Sequence, residues 1–465
     1  MPILTIYACR SPGFILSPDF LLFSLHVTGR AGPCFGKSAR SSAAAECALL
    51  ISRSLPQQII LFRLNLNMSL KPLPGLPSGI ISRVVAVGDL DVHILEALPP
   101  SAPTSSKPPL LLLLHGFPEL AYSWRKVMLP LASNGYAVVA PDLRGFGQTK
   151  DRARQSKGKI IFDEDLAPYR ILNTATDVVG LVYTLGYTSV QALIGHDFGS
   201  SVAAHCSLIR PDLFRSVVLM SAPFMGPPDL SNFGGSDGKT RLQQLDEALG
   251  TLDPPRKHYM VSFSTPTAHQ ELTHPPQGLS AFMRTYYHVK SADWEANKKA
   301  ASLGTSFSPS VFSVLPYYYI MPRNQTMAEC IASEAPSPEE VSRNSWLPEE
   351  ELEVYVSQYE ETGFQGGLNM YRCVSESTKW SKDLNIFVGK QIEIPAMFMA
   401  GAQDWGVFQF PGAAELMRTK ACRDMKEEDF VLIEGAGHWV QQEKPDEVVA
   451  HLLKFIKRQQ DSERS

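Results

Sequence analysis

Three acid–base residues stand just beyond short apolar runs in this chain, and their types decide what chemistry is open to it. Asp197 lies in Gly195-His196-Asp197-Phe198-Gly199, after Ser189 to Ile194 and before the small, apolar stretch Ser200 to Arg210. Strand, sharp glycine-flanked turn and helix is the layout of the G-x-S-x-G nucleophile turn, here with aspartate at its centre. A serine would need a base to take its proton; a carboxylate is already ionised at neutral pH. Attack by a carboxylate on a carbonyl gives an anhydride, a poor intermediate. Backside attack on a saturated carbon gives an alkyl ester, which water can open. The residue therefore points to cleavage of carbon–oxygen or carbon–halogen bonds, and away from ester and peptide hydrolysis.

Asp404, in Ala400-Gly401-Ala402-Gln403-Asp404-Trp405, and His438, in Glu434-Gly435-Ala436-Gly437-His438-Trp439, each follow a further predicted strand. Singly, Asp404 reads as a turn residue and His438 as a surface or core histidine. Together they supply an acid and a base, and ligands of open α/β sheets bind at the carboxyl ends of the strands. The chain order nucleophile, acid, histidine is that of the α/β-hydrolase fold. His115-Gly116-Phe117-Pro118 follows the run Leu110 to Leu114. Its Phe117 amide, with that of Phe198, is placed to form an oxyanion hole. The charges of Asp142-Leu143-Arg144-Gly145 read as a structural ion pair bracing the loops.

The elements that must carry these groups alternate. Ser82 to Val87 and Val92 to Ala97 flank Gly88-Asp89, a hairpin signal. Leu110 to Leu114 is continuously apolar, as a parallel strand covered on both faces should be. Leu120 to Ala132 predicts a helix ended by Gly135, then come strand Ala137 to Ala140, the charged surface insertion Asp151 to Asp165, helix Thr176 to Leu185 and strand Ser216 to Met220. Such alternation predicts a mostly parallel central sheet flanked by helices. From Phe224 to about Ile386 it stops: a Gly/Pro/Asp-rich linker, Gly226 to Gly238, leads into helical patterns such as Leu352, Tyr355, Val356 and Tyr359 on one face. This predicts an inserted helical cap over 224–386, between core segments 68–223 and 387–465. The core resumes with Ala396 to Ala400, Phe430 to Ile433 and a last helix, Pro445 to Ile456.

Residues 1–67 are of another kind, with six basic and two acidic residues and a Ser/Ala cluster at Ser38 to Ala45. Arg-rich, Ser-rich and acid-poor composition describes a transit peptide, but the apolar patches lack an amphipathic period. The favoured expectation is an unstructured extension preceding a natural start at Met68. Taking those eight charges from the net −4 leaves −8 for the remainder, which gives no reason to expect nucleic acid or an anionic membrane as partner. The seven cysteines, at 9, 34, 47, 206, 330, 373 and 422, form no C-x-x-C pair, which signals neither a zinc site nor a disulfide framework and favours a reducing, cytoplasmic setting. No apolar run reaches the roughly 18 residues of a membrane span. A small-molecule substrate without metal or cofactor is expected; oligomeric state is not legible.

The sequence resembles the epoxide hydrolase branch of the α/β-hydrolases. The motifs that carry the likeness are His115-Gly116-Phe117-Pro118-Glu119, Ser123-Trp124-Arg125, Pro141-Asp142-Leu143-Arg144-Gly145-Phe146-Gly147, Gly195 to Gly199, and Gly437-His438-Trp439-Val440-Gln441. The likeness runs from about Met68 to the last helix, cap included, and leaves residues 1–67 without a counterpart. It implies that epoxides are opened to vicinal diols through an aspartyl ester, with Asp404 orienting His438 toward water. It also implies two cap tyrosines that protonate the leaving oxygen: Tyr371, in Gly366-Gly367-Leu368-Asn369-Met370-Tyr371-Arg372, and more loosely Tyr259, in Arg256-Lys257-His258-Tyr259. Tyr286, Tyr287 and Tyr317 to Tyr319 rival Tyr259. Trp124 and Trp405 are expected to line the substrate pocket. A related dehalogenase shares the Asp–His–Asp set but usually has a halide-binding Trp or Arg after the nucleophile, where this chain has Phe198. A non-catalytic small-molecule binder of the same fold is the remaining alternative.

Overall fold

The computed structural model describes residues 73–100, 107–154, 157–227, 239–376 and 378–464. The predicted extension 1–67 lies outside them, as does most of the Gly226 to Gly238 linker. Strands β1 (Ile80–Val87) and β2 (Leu90–Ala97) form the antiparallel hairpin, turned at Gly88, whose φ of 54° is left-handed. The strands β3 (Leu110–Leu114), β4 (Ala137–Pro141), β5 (Ala192–His196), β6 (Val217–Met220), β7 (Ala396–Gly401) and β8 (Phe430–Ile433) are parallel to one another, giving the order β1-β2-β4-β3-β5-β6-β7-β8. The short Lys150–Asp151 strand, at the start of the predicted surface insertion, pairs with β2. Five consecutive leucines in β3 are fully buried because β3 has a parallel neighbour on each edge and packing on each face.

Side chains of successive strand residues point to opposite faces. Leu111, Leu113, Val138, Ala140 and Ile194 pack with helix α1 (Arg125–Ser133) and the C-terminal helix; Leu110, Leu112, Leu114, Val139 and Leu193 pack with α2 (Ile171–Thr184) and α3 (Phe198–Ile209). The predicted Leu120 helix is in fact two pieces, a 3₁₀ turn Ala121–Trp124 and then α1, and α2 starts five residues earlier than its pattern suggested. The last helix, α7 (Pro445–Arg464), runs eight residues past the predicted Ile456, and its added part is polar, with Arg458 bonded to Asp429 and Gln460 to Tyr136. None of the described helices is long and apolar enough to cross a membrane.

Between β6 and β7 the described chain is helical apart from one antiparallel pair, Arg256–His258 with Ile320–Pro322. Its main helices are α4 (Leu279–Lys290), α5 (Glu349–Thr362) and α6 (Gln365–Ser375). The predicted apolar face of α5 is buried at all four positions. The segment meets the loops at the strand ends: Ser123 Oγ bonds Tyr355 Oη at 2.8 Å, and Trp439 Nε1 donates to the Tyr287 carbonyl at 2.8 Å. Gly366 sits so close to Gly145 that a Cβ there would lie 2.0 Å from the Gly145 carbonyl oxygen. Asp142 and Arg144 brace the loops, but each through other partners. Asp142 accepts from His93 Nδ1 (2.7 Å) and the amides of Ala121 and Gln148; Arg144 bridges Asp89 and Asp177.

Candidate active site

Asp197 occupies the turn between β5 and α3 with φ 53° and ψ −118°, a conformation that costs a non-glycine residue of order 1–3 kcal/mol. The turn is held by close backbone packing on both flanks. A Cβ at Gly195 would fall 2.0 Å from the Gly199 carbonyl oxygen, and one at Gly199 would fall 2.3 Å from that of Leu114. Both obstacles are main chain and cannot rotate away. Gly199→Ala is therefore expected to destabilise the protein by at least about 1–3 kcal/mol, read by urea denaturation, and to lower turnover by moving α3. An unchanged midpoint would show that the turn is looser than these distances require.

The carboxylate lies against Gly116, where a Cβ would meet Asp197 Cβ at 2.3 Å, and this close approach lets the Phe117 amide donate to Asp197 Oδ1 at 3.0 Å. The Phe198 amide opens α3 and makes no hydrogen bond to the carboxylate, so one of the two predicted oxyanion donors is engaged here. His438 Nδ1 donates to Asp404, 3.0 Å from Oδ2 and 3.2 Å from Oδ1, while the Gly406 amide donates to Oδ1 at 2.6 Å. His438 Nε2 stands 3.5 Å from Asp197 Oδ2 and makes no hydrogen bond among the described residues. The structure thus brings Asp197, Asp404 and His438 together at the ends of three strands. Burial opposes charge on Asp197, but His438, His196 and Lys290 hold its carboxyl well below the usual range. Burial also pulls His438 down; Asp404 outweighs this and pushes it up to about 9.

Above the carboxylate lies an aromatic wall. Tyr371 on α6 is T-shaped against Phe117 (5.3 Å), Phe198 (4.6 Å) and Phe263 (5.3 Å), and its ring centre is 5.9 Å from that of Tyr259. Burial pushes both phenols well above their ordinary pKa, and the Asp197 charge adds to this. Of the rivals, Tyr317 is exposed, Tyr287 donates to the Pro118 carbonyl and Tyr318 to Asn297. Tyr259 is the candidate whose ring contacts Tyr371; Tyr319 packs against Tyr259 at 5.3 Å, and the buried Tyr286 hydroxyl makes no hydrogen bond among the described residues. Trp405 is buried on this side of the sheet. Trp124 is not: it is fully buried in the opposite cluster with Met128, Met399 and Leu452, because it closes the 3₁₀ turn on the far face, and it cannot line the pocket.

The family model of the alpha/beta hydrolase fold matches residues 109–253. "Epoxide hydrolase 3" of Siraitia grosvenorii is 30% identical over 75% of this chain and 92% of its own length. "Epoxide hydrolase A" of Mycobacterium tuberculosis (strain ATCC 25618 / H37Rv) is 30% identical over 80% of this chain and 96% of its own. The chain belongs to the epoxide hydrolase family. Among solved structures, an epoxide hydrolase from an endophytic Streptomyces superposes with a TM-score of 0.63 at 25% identity, covering 83% of this chain and 97% of that one. Epoxide hydrolase I of potato (Solanum tuberosum) gives 0.60 at 29%, covering 82% and 99%.

Several residues of this epoxide hydrolase-family site carried no role in the sequence reading. Glu119, fully buried, accepts from His196 Nδ1 (2.5 Å), Gln441 Nε2 (2.7 Å) and the Gly116 amide (3.2 Å). His196 Nε2 faces the His438 carbonyl at 2.7 Å. Both of its nitrogens meet oxygen partners, and the ring ties three loops together. Glu119 and Gln441 lie inside quoted motifs, but no spacing rule marks them. Lys290, at the end of α4, accepts from the His438 amide through its carbonyl (2.8 Å) and buries its ammonium among tyrosines. Nothing local in Tyr286-Tyr287-His288-Val289-Lys290 distinguishes it from a surface lysine.

Proposed function

We propose that this protein hydrolyses epoxides of a small organic substrate to vicinal diols. One observation carries the proposal: two buried phenols, Tyr259 and Tyr371, flank an aspartate at the nucleophile turn. Asp197 attacks an epoxide carbon from behind, the ring C–O bond breaks, and a tyrosine protonates the leaving oxygen. The resulting ester is opened by water that His438 deprotonates, with Asp404 holding the imidazole and stabilising its charge. The Phe117 amide, already on Asp197 Oδ1, and the Phe198 amide receive the oxyanion of the tetrahedral intermediate. A halide leaves without a proton and needs no general acid, and the Phe198 side chain offers it no donor. Residues 224–386 act as the lid that brings the phenols to the core and excludes water, and Trp405 contributes to the substrate wall. Its buried free thiols Cys206, Cys330, Cys373 and Cys422 suit a cytoplasmic location.

Single turnover of styrene oxide in oxygen-18 water tests the covalent step. Hydrolysis of the ester at its carbonyl puts the label into the Asp197 carboxylate, found by peptide mass spectrometry, and leaves the first diol unlabelled. Label in the diol alone would overturn the ester mechanism. Conversion of haloacids but of no epoxide in a panel would favour the dehalogenase instead.

A further inference from the structure

Epoxide opening by this route moves one negative charge. It starts on the Asp197 carboxylate and, once a phenol has given its proton to the ring oxygen, ends on that phenol as phenolate. Burial makes both Tyr259 and Tyr371 reluctant to ionise, and the neighbouring charge of Asp197 adds to that reluctance until the ester forms. A site so arranged needs a fixed cation on the tyrosine side. The histidines do not supply it. His258, 5.1 Å from Tyr259 ring to ring, is pushed down to about 3 by burial and stays neutral. His438, pushed up to about 9, carries charge in the resting site but holds it against Asp404 and must give it up to act as the base.

Lys290 fills that position. It is 4% exposed, and its ammonium lies over four rings: Tyr319 at 4.5 Å, Tyr318 at 5.2 Å, Tyr286 at 5.4 Å and Tyr259 at 5.7 Å. No hydrogen bond or salt bridge to a carboxylate fixes Nζ among the described residues; its electrostatic partners are Asp197 and Asp404, the groups at the two ends of the reaction. Its backbone is tied to the catalytic loop, the Lys290 carbonyl accepting from the His438 amide. A buried ammonium held by ring faces alone is expensive unless the site uses its charge.

Resting on the function proposed above, we infer that Lys290 is a positioning residue for the leaving-group acid, its ammonium holding the negative charge as it passes from Asp197 to the Tyr259–Tyr371 pair. The charge balances at each stage. Asp197 oxygen bonds to carbon, the C–O bond breaks, the phenol proton goes to the oxygen, and the phenolate remains beside Lys290. In the second step water attacks the ester carbonyl and His438 takes one of its protons; the tetrahedral intermediate collapses, the water's other proton leaves on the diol oxygen, Asp197 is released as carboxylate, and the imidazolium proton restores the phenol. Lys290 gains and loses nothing; it keeps the phenolate affordable in a site that excludes water.

Alkylation and ester hydrolysis of the full-length protein, followed separately with styrene oxide by rapid quench and intact mass between pH 6 and 10, test this. Lys290→Met keeps the stem length and removes the charge. It should slow ester formation by about 10- to 100-fold, the size of one unit charge acting across a few ångström in a partly screened site, with little change in substrate affinity. Burial brings the Lys290 ammonium down to about 8 against the pull of Asp197 and Asp404. Its charge is present below that value and lost above it, so wild-type alkylation should fall through pH 8 and the Lys290→Met rate should not. Of the other groups facing it, Asp197 is held well below this range and the four phenols well above it; His438, pushed up to about 9, is common to wild type and Lys290→Met, so the effect of Lys290 is read as the difference between the two profiles around pH 8. Lys290→Arg, charged throughout, should recover ester formation at pH 9 to 10. Unchanged alkylation in Lys290→Met, or a wild-type profile flat across pH 8, overturns the role of Lys290 alone. Absence of any Asp197 ester in both proteins overturns the ester mechanism with it.

Discussion

His438→Gln is expected to accumulate a stable adduct of one enzyme and one substrate, seen as the summed mass on intact mass spectrometry, while multiple turnover falls by about 10²–10⁴-fold. Attack by Asp197 needs no base, because its carboxyl is ionised already, so the first step survives. Opening of the ester needs a proton taken from water, and His438 Nε2 stands 3.5 Å from the carboxylate with its hydrogen-bonding capacity unused. Glutamine preserves the backbone bond to Lys290 and an amide near Asp404 but offers no base. The histidine's pKa, about 9 in the resting site, is raised by Asp404 and by its contact with Asp197. Esterification removes the Asp197 charge, so the value must fall in the intermediate. The base exists above this lowered pKa and is lost below it; ester hydrolysis in wild type should accelerate as pH rises toward it. No adduct from a substrate that wild type converts would mean that His438 acts before the ester forms.

The second large effect is expected from Tyr259→Phe/Tyr371→Phe. Each single change removes a donor and keeps a ring that packs against Phe263 at 5.6 or 5.3 Å, so the fold should tolerate both. With one phenol left, its partner, 5.9 Å away ring to ring, continues to serve the leaving oxygen, and the loss should be modest. With neither, an alkoxide would have to leave unprotonated into a site where burial disfavours charge. The double variant should lose at least about 10²–10⁴-fold in the rate of ester formation, the usual worth of a general acid. Hydrolysis of a preformed ester should change far less, and displacement of a halide hardly at all. Near-normal epoxide opening by the double variant would place the acid elsewhere.

The local character of each strand end was written in the sequence. Gly195 to Gly199 states a turn that only glycines permit at its flanks, aspartate at its centre states the nucleophile class, and the five leucines of β3 state a strand buried on both faces. The meeting of Asp197, Asp404 and His438 follows from parallel strands bringing their carboxyl ends to one edge of the sheet, so it too was within reach; the strand order was not. Only packing in three dimensions settled the rest. Tyr259 lies against Tyr371, 5.9 Å ring to ring, a contact that Tyr286, Tyr287 and Tyr317 to Tyr319 do not make and that no local pattern across 112 residues encodes. Trp124 reads like a pocket residue beside a motif, yet the 3₁₀ turn Ala121–Trp124 sends it to the far face of the sheet. Glu119, His196 and Lys290 are charged or polar residues in ordinary-looking stretches. Their importance comes from burial, and burial of a charge is a property of what the rest of the chain places around it.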